Sequence, residues 1–212
     1  MELNKFINRE EIKINIINTI NQITSNINDI SQKKVIYIMG NPGSGKSYFM
    51  NQLLKELDYD IIPFDTEQNR NSSNFDFIKS YNMSSNNVLD LLKGKRKKIC
   101  ILMDNLEALN TSDKSGLSHL IKLLRPKKTI KQKKEDFCKN LVIIISNQSK
   151  DKKILELQKI CYNFNFISPN NIQISNIINS YFIDIDSDYL NKIQKFFLND
   201  LKKLEIIYNL YR

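Results

Sequence analysis

The chain has 212 residues, 41% hydrophobic and 26% charged, which suits one medium globular domain or a domain with a small appendage. No apolar run reaches the length of a membrane span, the opening Met-Glu-Leu-Asn-Lys-Phe has no signal-peptide core, and three distant cysteines form neither a disulfide framework nor a metal spacing. These features exclude a membrane-spanning or secreted disulfide-rich class and lead us to expect an intracellular protein, nuclear or cytoplasmic, a viral replication site included. The net charge of +9 suits an anionic partner such as nucleic acid, although abundant Asn, Ile and Lys also fit A/T-rich codons.

In chain order, Ile12, Ile16, Ile17, Ile20 and Ile23 recur at helical spacing, which predicts an amphipathic helix within residues 9–28. Val35 to Met39 reads as a strand. It runs into Gly40-Asn41-Pro42-Gly43-Ser44-Gly45-Lys46-Ser47, the Gly-x-x-x-x-Gly-Lys-Ser pattern of a P-loop. Glycines allow the tight turn that points successive N–H groups at a triphosphate. Lys46 can reach the β/γ-phosphates, and the Ser47 hydroxyl can ligate Mg²⁺. Ser47 to Leu57, with Tyr48 in the first turn, reads as the following helix, whose N-terminal dipole faces the phosphates. Gly40 to Tyr48 are thus the candidate ATP-binding residues.

Asp60 to Phe64 reads as a short strand, Asp65 to Asn74 as a polar loop, Phe75 to Leu92 as mixed helical spacing, and Lys93 to Lys98 as a basic turn. Ile99 to Met103 is a continuous apolar strand ending at Asp104, the place for a second acid beside Mg²⁺, with Ser47 the other metal candidate. Many P-loop ATPases carry Glu directly after this Asp to polarise the attacking water, whereas this chain has Asn105. An amide orients water but cannot take its proton, so we expect ATP to bind and hydrolysis to be slow. Glu107 would share a side with Asn105 only if the strand continued, which is not expected.

Ser115 to Leu124 reads as a helix, and the only histidine, His119, has no cluster to join. Arg125 to Lys139 is basic and reads as a loop or mobile insertion. Leu141 to Ile145 is another buried strand, followed by Ser146 and Asn147. If it lies between the two strands already named, Asn147 faces the γ-phosphate; otherwise it is a strand-end turn residue, which Asn also favours. Lys152 to Ile160 reads as a helix and Tyr162 to Ile167 as a strand. After Ser168 come three short helices, Ile172 to Tyr181, Ser187 to Leu198 and Asp200 to Tyr211. Apolar strands separated by helices imply an α/β fold with a parallel sheet covered on both faces. We expect an N-terminal helix in residues 1–30, an α/β ATP-binding domain in 31–168 and a helical lid in 169–212.

The P-loop, Asp-ended strand, Asn-ended strand and trailing helices, in that order, resemble an AAA+ ATPase. Ile101-Leu-Met-Asp-Asn-Leu-Glu-Ala-Leu109, Val142-Ile-Ile-Ile-Ser-Asn-Gln148 and Phe64-Asp-Thr-Glu-Gln-Asn-Arg70 are similar to segments of clamp loaders, and most to the large subunit of replication factor C. The resemblance covers roughly residues 33 to 210. It implies a five-stranded parallel sheet with a small C-terminal helical lid. It also implies catalytic roles for Lys46, Asp104, Asn105 and Asn147, with Asn147 as sensor 1 and Lys202 standing where the lid carries a sensor 2 arginine. Lys202 keeps the charge and loses the bidentate fork.

The chain departs from that pattern at Lys159-Ile160-Cys161, where neighbour-completing subunits carry Ser-Arg-Cys, and we expect no collar domain after the lid. Implied partners are other AAA+ clamp-loader-like subunits, a sliding clamp, and DNA held through its phosphates. Candidate DNA contacts are Lys93 to Lys98, Arg125 to Lys134, Lys150, Lys152 and Lys153. The leading expectation is a clamp-loader-like ATP-binding subunit of DNA replication or repair. The alternatives are a nucleotide-dependent interaction module without catalysis and, with less support, a small-molecule P-loop kinase.

Overall fold

Runs of Val, Ile and Leu build one parallel sheet at the centre of the chain. The computed structural model describes residues 7, 9–26, 29–65, 97–107, 114–133, 138, 140–147, 151–182, 187–197 and 200–211. The strands are β1 (Val35–Gly40), β2 (Tyr59–Asp65), β3 (Lys98–Asp104), β4 (Leu141–Ser146) and β5 (Tyr162–Phe166). Their order across the sheet is β2-β3-β4-β1-β5, with every pairing parallel. Burial follows this order. Central β4 is buried at every position, whereas Tyr162 to Asn165 of edge strand β5 are half-buried or exposed. The five-stranded parallel α/β architecture is the one expected.

Alternate residues of each strand feed opposite layers. Val35, Tyr37, Ile101, Met103, Val142 and Ile144 pack on one face with Leu117, Leu120, Ile121 and Leu124 of α3 (Lys114–Leu124) and Ile154 and Leu157 of α5 (Lys152–Lys159). Ile36, Ile38, Cys100, Leu102, Ile143 and Ile145 face the other way. They meet Ile16, Ile20 and Ile23 of α1 (Glu10–Ser25) and Phe49, Met50, Leu53 and Leu54 of α2 (Lys46–Glu56). Each such aliphatic side chain contributes roughly 1.5–3 kcal/mol by leaving water. The predicted N-terminal helix is therefore a structural layer of the sheet.

A third core joins α6 (Asn171–Tyr181), α7 (Ser187–Phe197) and α8 (Leu201–Tyr211) through Ile174, Ile177, Ile178, Phe182, Phe197, Leu201 and Leu204. Ile7 packs into it from the N-terminal segment. A capping box between Asn170 and Gln173 starts α6, and Asp200 Oδ1 accepts the Lys202 N–H at 3.0 Å to start α8.

Some boundaries and surroundings differ from expectation. Asp65 closes β2 and Lys98 opens β3, so neither belongs to a loop or turn. Residues 66–96, with the rest of the polar loop, the mixed helical stretch and most of the basic turn, lie outside the described residues, as do 134–137, 139 and 148–150. Residues 125–129 of the basic stretch form a loop, as expected, but it is anchored at Lys127. Lys127 is fully buried, its N–H donates to the Ile30 carbonyl at 2.8 Å, and its Nζ donates to the Lys122 carbonyl at 2.7 Å. That ammonium serves a carbonyl in the last turn of α3, where both the dipole and the unfilled acceptors favour a cation. A helical turn, α4 (Ile130–Lys133), follows.

Candidate nucleotide-binding site

The sheet order places the site. β4 lies between β1 and β3, with Met39 opposite Ser146 and Met103 opposite Ile144. Gly40, Asn147 and Asp104 therefore end up at the same carboxyl edge, where open α/β sheets bind ligands. A cavity of about 630 Å³ opens there, the size range of a small-ligand site. Its floor includes Pro42, Gly43, Gly45, Lys46, Ser47 and Tyr48. Asp104, Asn105 and Asn147 form one wall, and Leu201, Lys202, Tyr208 and Asn209 of the last helix form another. Gly40, Asn41 and Ser44 belong to the loop but do not line the cavity. Gly40 is pressed on β5, where an added Cβ would lie 2.4 Å from the Phe166 carbonyl oxygen.

Gly43 and Gly45 adopt φ of +71° and +79°, the left-handed conformation that glycine takes without strain. Gly45 is the N-cap of α2, so the unpaired N–H groups of that helix's first turn face the cavity. The Lys46 ammonium donates to the carbonyls of Gly40 at 2.9 Å and Asn41 at 2.8 Å, and to Asn147 Oδ1 at 3.1 Å. Burial pushes its pKa below the usual lysine range, against the opposing charges of Glu107 and Asp104. Ser47 on α2 and Asp104 on β3 share the cavity, one hydroxyl and one carboxylate.

Arg9 and Glu107, which sequence reasoning passed over, belong to the same constellation. Arg9 is the N-cap of α1 and only 3% exposed. Its guanidinium donates to the Ser44 carbonyl and lies 4.8 Å above the Phe166 ring, and that ring meets Phe49 edge-on at 5.1 Å. Burial lowers its pKa to about 10, leaving it cationic at neutral pH. A cation at a helix N-terminus has the wrong sign for the dipole, and that was the available signal.

Glu107 reaches the site by a turn rather than by a continued strand. Asn105 adopts φ +54°, a conformation that Asn tolerates better than most residues. Leu106 then enters the core with its N–H donating to the Ile145 carbonyl at 3.3 Å. Glu107 Oε1 accepts from Ser146 Oγ at 2.8 Å and from the Asn147 N–H. Sequence reasoning set Glu107 aside for want of a longer strand; the left-handed residue brings it back under the end of β4.

Among known proteins, the chain is similar to replication factor C subunit 1 of Arabidopsis thaliana, 22% identical over 160 residues that make up 70% of this chain and 16% of that protein. It is also similar to the replication factor C large subunit of Methanococcus aeolicus, 22% identical over 177 residues, 83% of this chain and 32% of that protein. The chain thus spans less than a third of the length of these relatives. A solved structure of Drosophila ORC bound to DNA aligns with 90% of this chain and 58% of its own, at a TM-score of 0.49 and 17% identity. Residues 36–161, more than half of the chain, match the family described as ATPase family associated with various cellular activities (AAA), and the chain belongs to that family.

Proposed function

We propose that this cavity binds ATP with Mg²⁺, and that occupancy governs assembly with other AAA+ clamp-loader-like subunits on DNA or a sliding clamp, with slow hydrolysis. The observation that carries the reading is a pair of desolvated cations. Arg9 and Lys46 are 3% and 7% exposed and oppose each other's charge beside a loop of inward N–H groups. Glu107 and Asp104 already favour the ammonium of Lys46, and a bound polyanion would add to that compensation where the loop N–H groups point inward. A triphosphate supplies that charge, and membership of an ATPase family implies ATP.

The chain's residues then divide the work. The loop N–H groups and Lys46 hold the β/γ-phosphates. Lys46 already donates to two carbonyls and Asn147, so a γ-phosphate oxygen competes with the Asn147 amide for one of its protons. Ser47 and Asp104 offer a hydroxyl and a carboxylate to Mg²⁺, which would neutralise phosphate charge. Lys202 closes the cavity from the last helix and Tyr48 flanks it. Asn105 orients water without accepting its proton, which keeps turnover low.

DNA contact, if the assembly meets DNA, falls to exposed Lys122, Lys128, Lys131, Lys133 and Lys152. Lys127, counted among the sequence candidates, is buried and unavailable. A second reading, a nucleotide-dependent interaction module without catalysis, is favoured specifically by the amide at Asn105.

Titration with a fluorescent ATP analogue, with and without Mg²⁺, tests the site: saturable binding lost in Lys46→Ala is expected, and no binding sinks the proposal. Turnover on primed DNA separates the two readings. Stimulated hydrolysis excludes the module; binding without turnover excludes the engine.

A further inference from the structure

We infer that Glu107 is the positioning residue of the γ-phosphate reader: its carboxylate fixes Asn147 so that the amide oxygen meets Lys46. The inference rests on the ATP site proposed above and adds a member that does not touch the nucleotide cavity.

Three observations carry it. First, Glu107 Oε1 accepts from two consecutive residues of the strand end, the Ser146 hydroxyl at 2.8 Å and the Asn147 N–H. The Ser146 hydroxyl also lies 2.9 Å from the Asn147 carbonyl, but its single proton favours the carboxylate, the stronger acceptor. Second, the residue so held places Oδ1 at 3.1 Å from Lys46 Nζ. The connection runs Glu107, Asn147, Lys46, and it joins the end of β3 through β4 to the phosphate loop. Third, Asp104, Asn105, Ser146 and Asn147 line the cavity and Glu107 does not. Glu107 therefore acts through Asn147 and is no substitute for the missing general base. Its charge favours the ammonium form of Lys46, ahead of Asp104.

The consequence is selective. Loss of Glu107 frees Asn147 to rotate, and an amide that wanders reads the γ-phosphate poorly. ADP, which lacks that phosphate, is held by the loop alone and is indifferent to the change. The test is the ATP-over-ADP affinity ratio, measured with fluorescent analogues for wild type, Glu107→Ala, Glu107→Gln and Ser146→Ala. Glu107→Ala should weaken ATP about tenfold with ADP almost unchanged, the scale of one charge-assisted hydrogen bond. Glu107→Gln keeps an oxygen able to accept both bonds and should restore most of the ratio. Ser146→Ala, which leaves the carboxylate in place, should fall between them. In an Asn147→Ala background, Glu107→Ala should change nothing further.

An unchanged ratio in Glu107→Ala overturns the inference, and so does an equal fall for ATP and ADP, which would mark a merely structural acid. If Glu107→Ala does not fold, the Ser146→Ala ratio decides on the same criteria, and Glu107→Gln should stay close to wild type. Absence of any nucleotide binding in the wild type sinks the site itself; binding with no effect of Glu107 sinks only this inference.

Discussion

The backbone N–H of Leu201 donates to the carbonyl of Gly43 at 2.8 Å, so the last helix begins on the phosphate loop. The two segments are in contact at side-chain level as well. A Cβ on Gly43 would lie 2.2 Å from Asp200 Oδ1, and one on Gly45 would lie 3.0 Å from Leu201 Cδ1. Gly43→Ala is therefore expected to lower stability by more than about 2 kcal/mol, from steric conflict added to left-handed backbone strain. In an Asp200→Gly background, which also removes the Cβ that would lie 2.9 Å away, only the backbone part should remain, roughly 1 kcal/mol. Urea unfolding followed by circular dichroism measures both, and additive losses would show that the helix does not press on the loop.

Asn105 makes a separable prediction. At φ +54°, Asn105→Gly should leave stability almost unchanged and Asn105→Ala should cost about 1 kcal/mol. Asn105→Glu should show a similar stability loss together with faster steady-state ATP turnover. A gain in turnover would identify the absent acid as the limit on hydrolysis.

Alkaline pH should move stability and affinity in opposite directions. Burial holds the folded Lys46 pKa below its ordinary 10.5, so above the folded value the unfolded chain binds more protons than the native chain. Stability contributed at this site rises with pH up to 10.5 and is flat beyond it. ATP needs the ammonium form, so its affinity falls over the same interval. Comparison of wild type with Lys46→Met isolates the effect, because the variant should lose both slopes.

The lysines after α3 divide into two kinds. Lys127→Met removes a buried ammonium from the Lys122 carbonyl and should destabilise by about 1–3 kcal/mol, with no direct effect on DNA. Neutralising exposed Lys128, Lys131 and Lys133 should leave the melting temperature alone. If those side chains meet DNA, each should reduce the salt dependence of binding by about 0.9 in logarithmic slope. Fluorescence anisotropy over a salt series distinguishes the two kinds.

Much of this architecture was legible because it is written in short periods. The all-apolar runs of β1, β3 and β4 and the glycine spacing of the phosphate loop carry their meaning locally. Asp104 and Asn147 were located by strand ends alone, and the sheet order then brought them together. Arg9, Glu107 and Lys127 were not legible, because each is defined by a distant carbonyl or amide. Arg9 needs Ser44 and Phe166, Glu107 needs the end of β4, and Lys127 needs Ile30. A charged side chain in sequence looks like surface, and only the acceptor it finds says otherwise. Asn105 was read for its side chain, whereas its backbone angle is what redirects the chain.

Arg9 ties the entry of the first helix to the phosphate loop and to the sheet edge through Phe166. Unzipping of α1 from its N-terminus must break that tie before it uncovers anything else, and a nucleotide filling the cavity makes the break more costly. Protease attack at the start of α1 and nucleotide occupancy then report one equilibrium: saturating ATP should slow tryptic cleavage after Lys13, and Arg9→Ala, which leaves that cleavage site in place, should abolish the protection. The N-terminal segment thus becomes a clock for how long the site stays occupied.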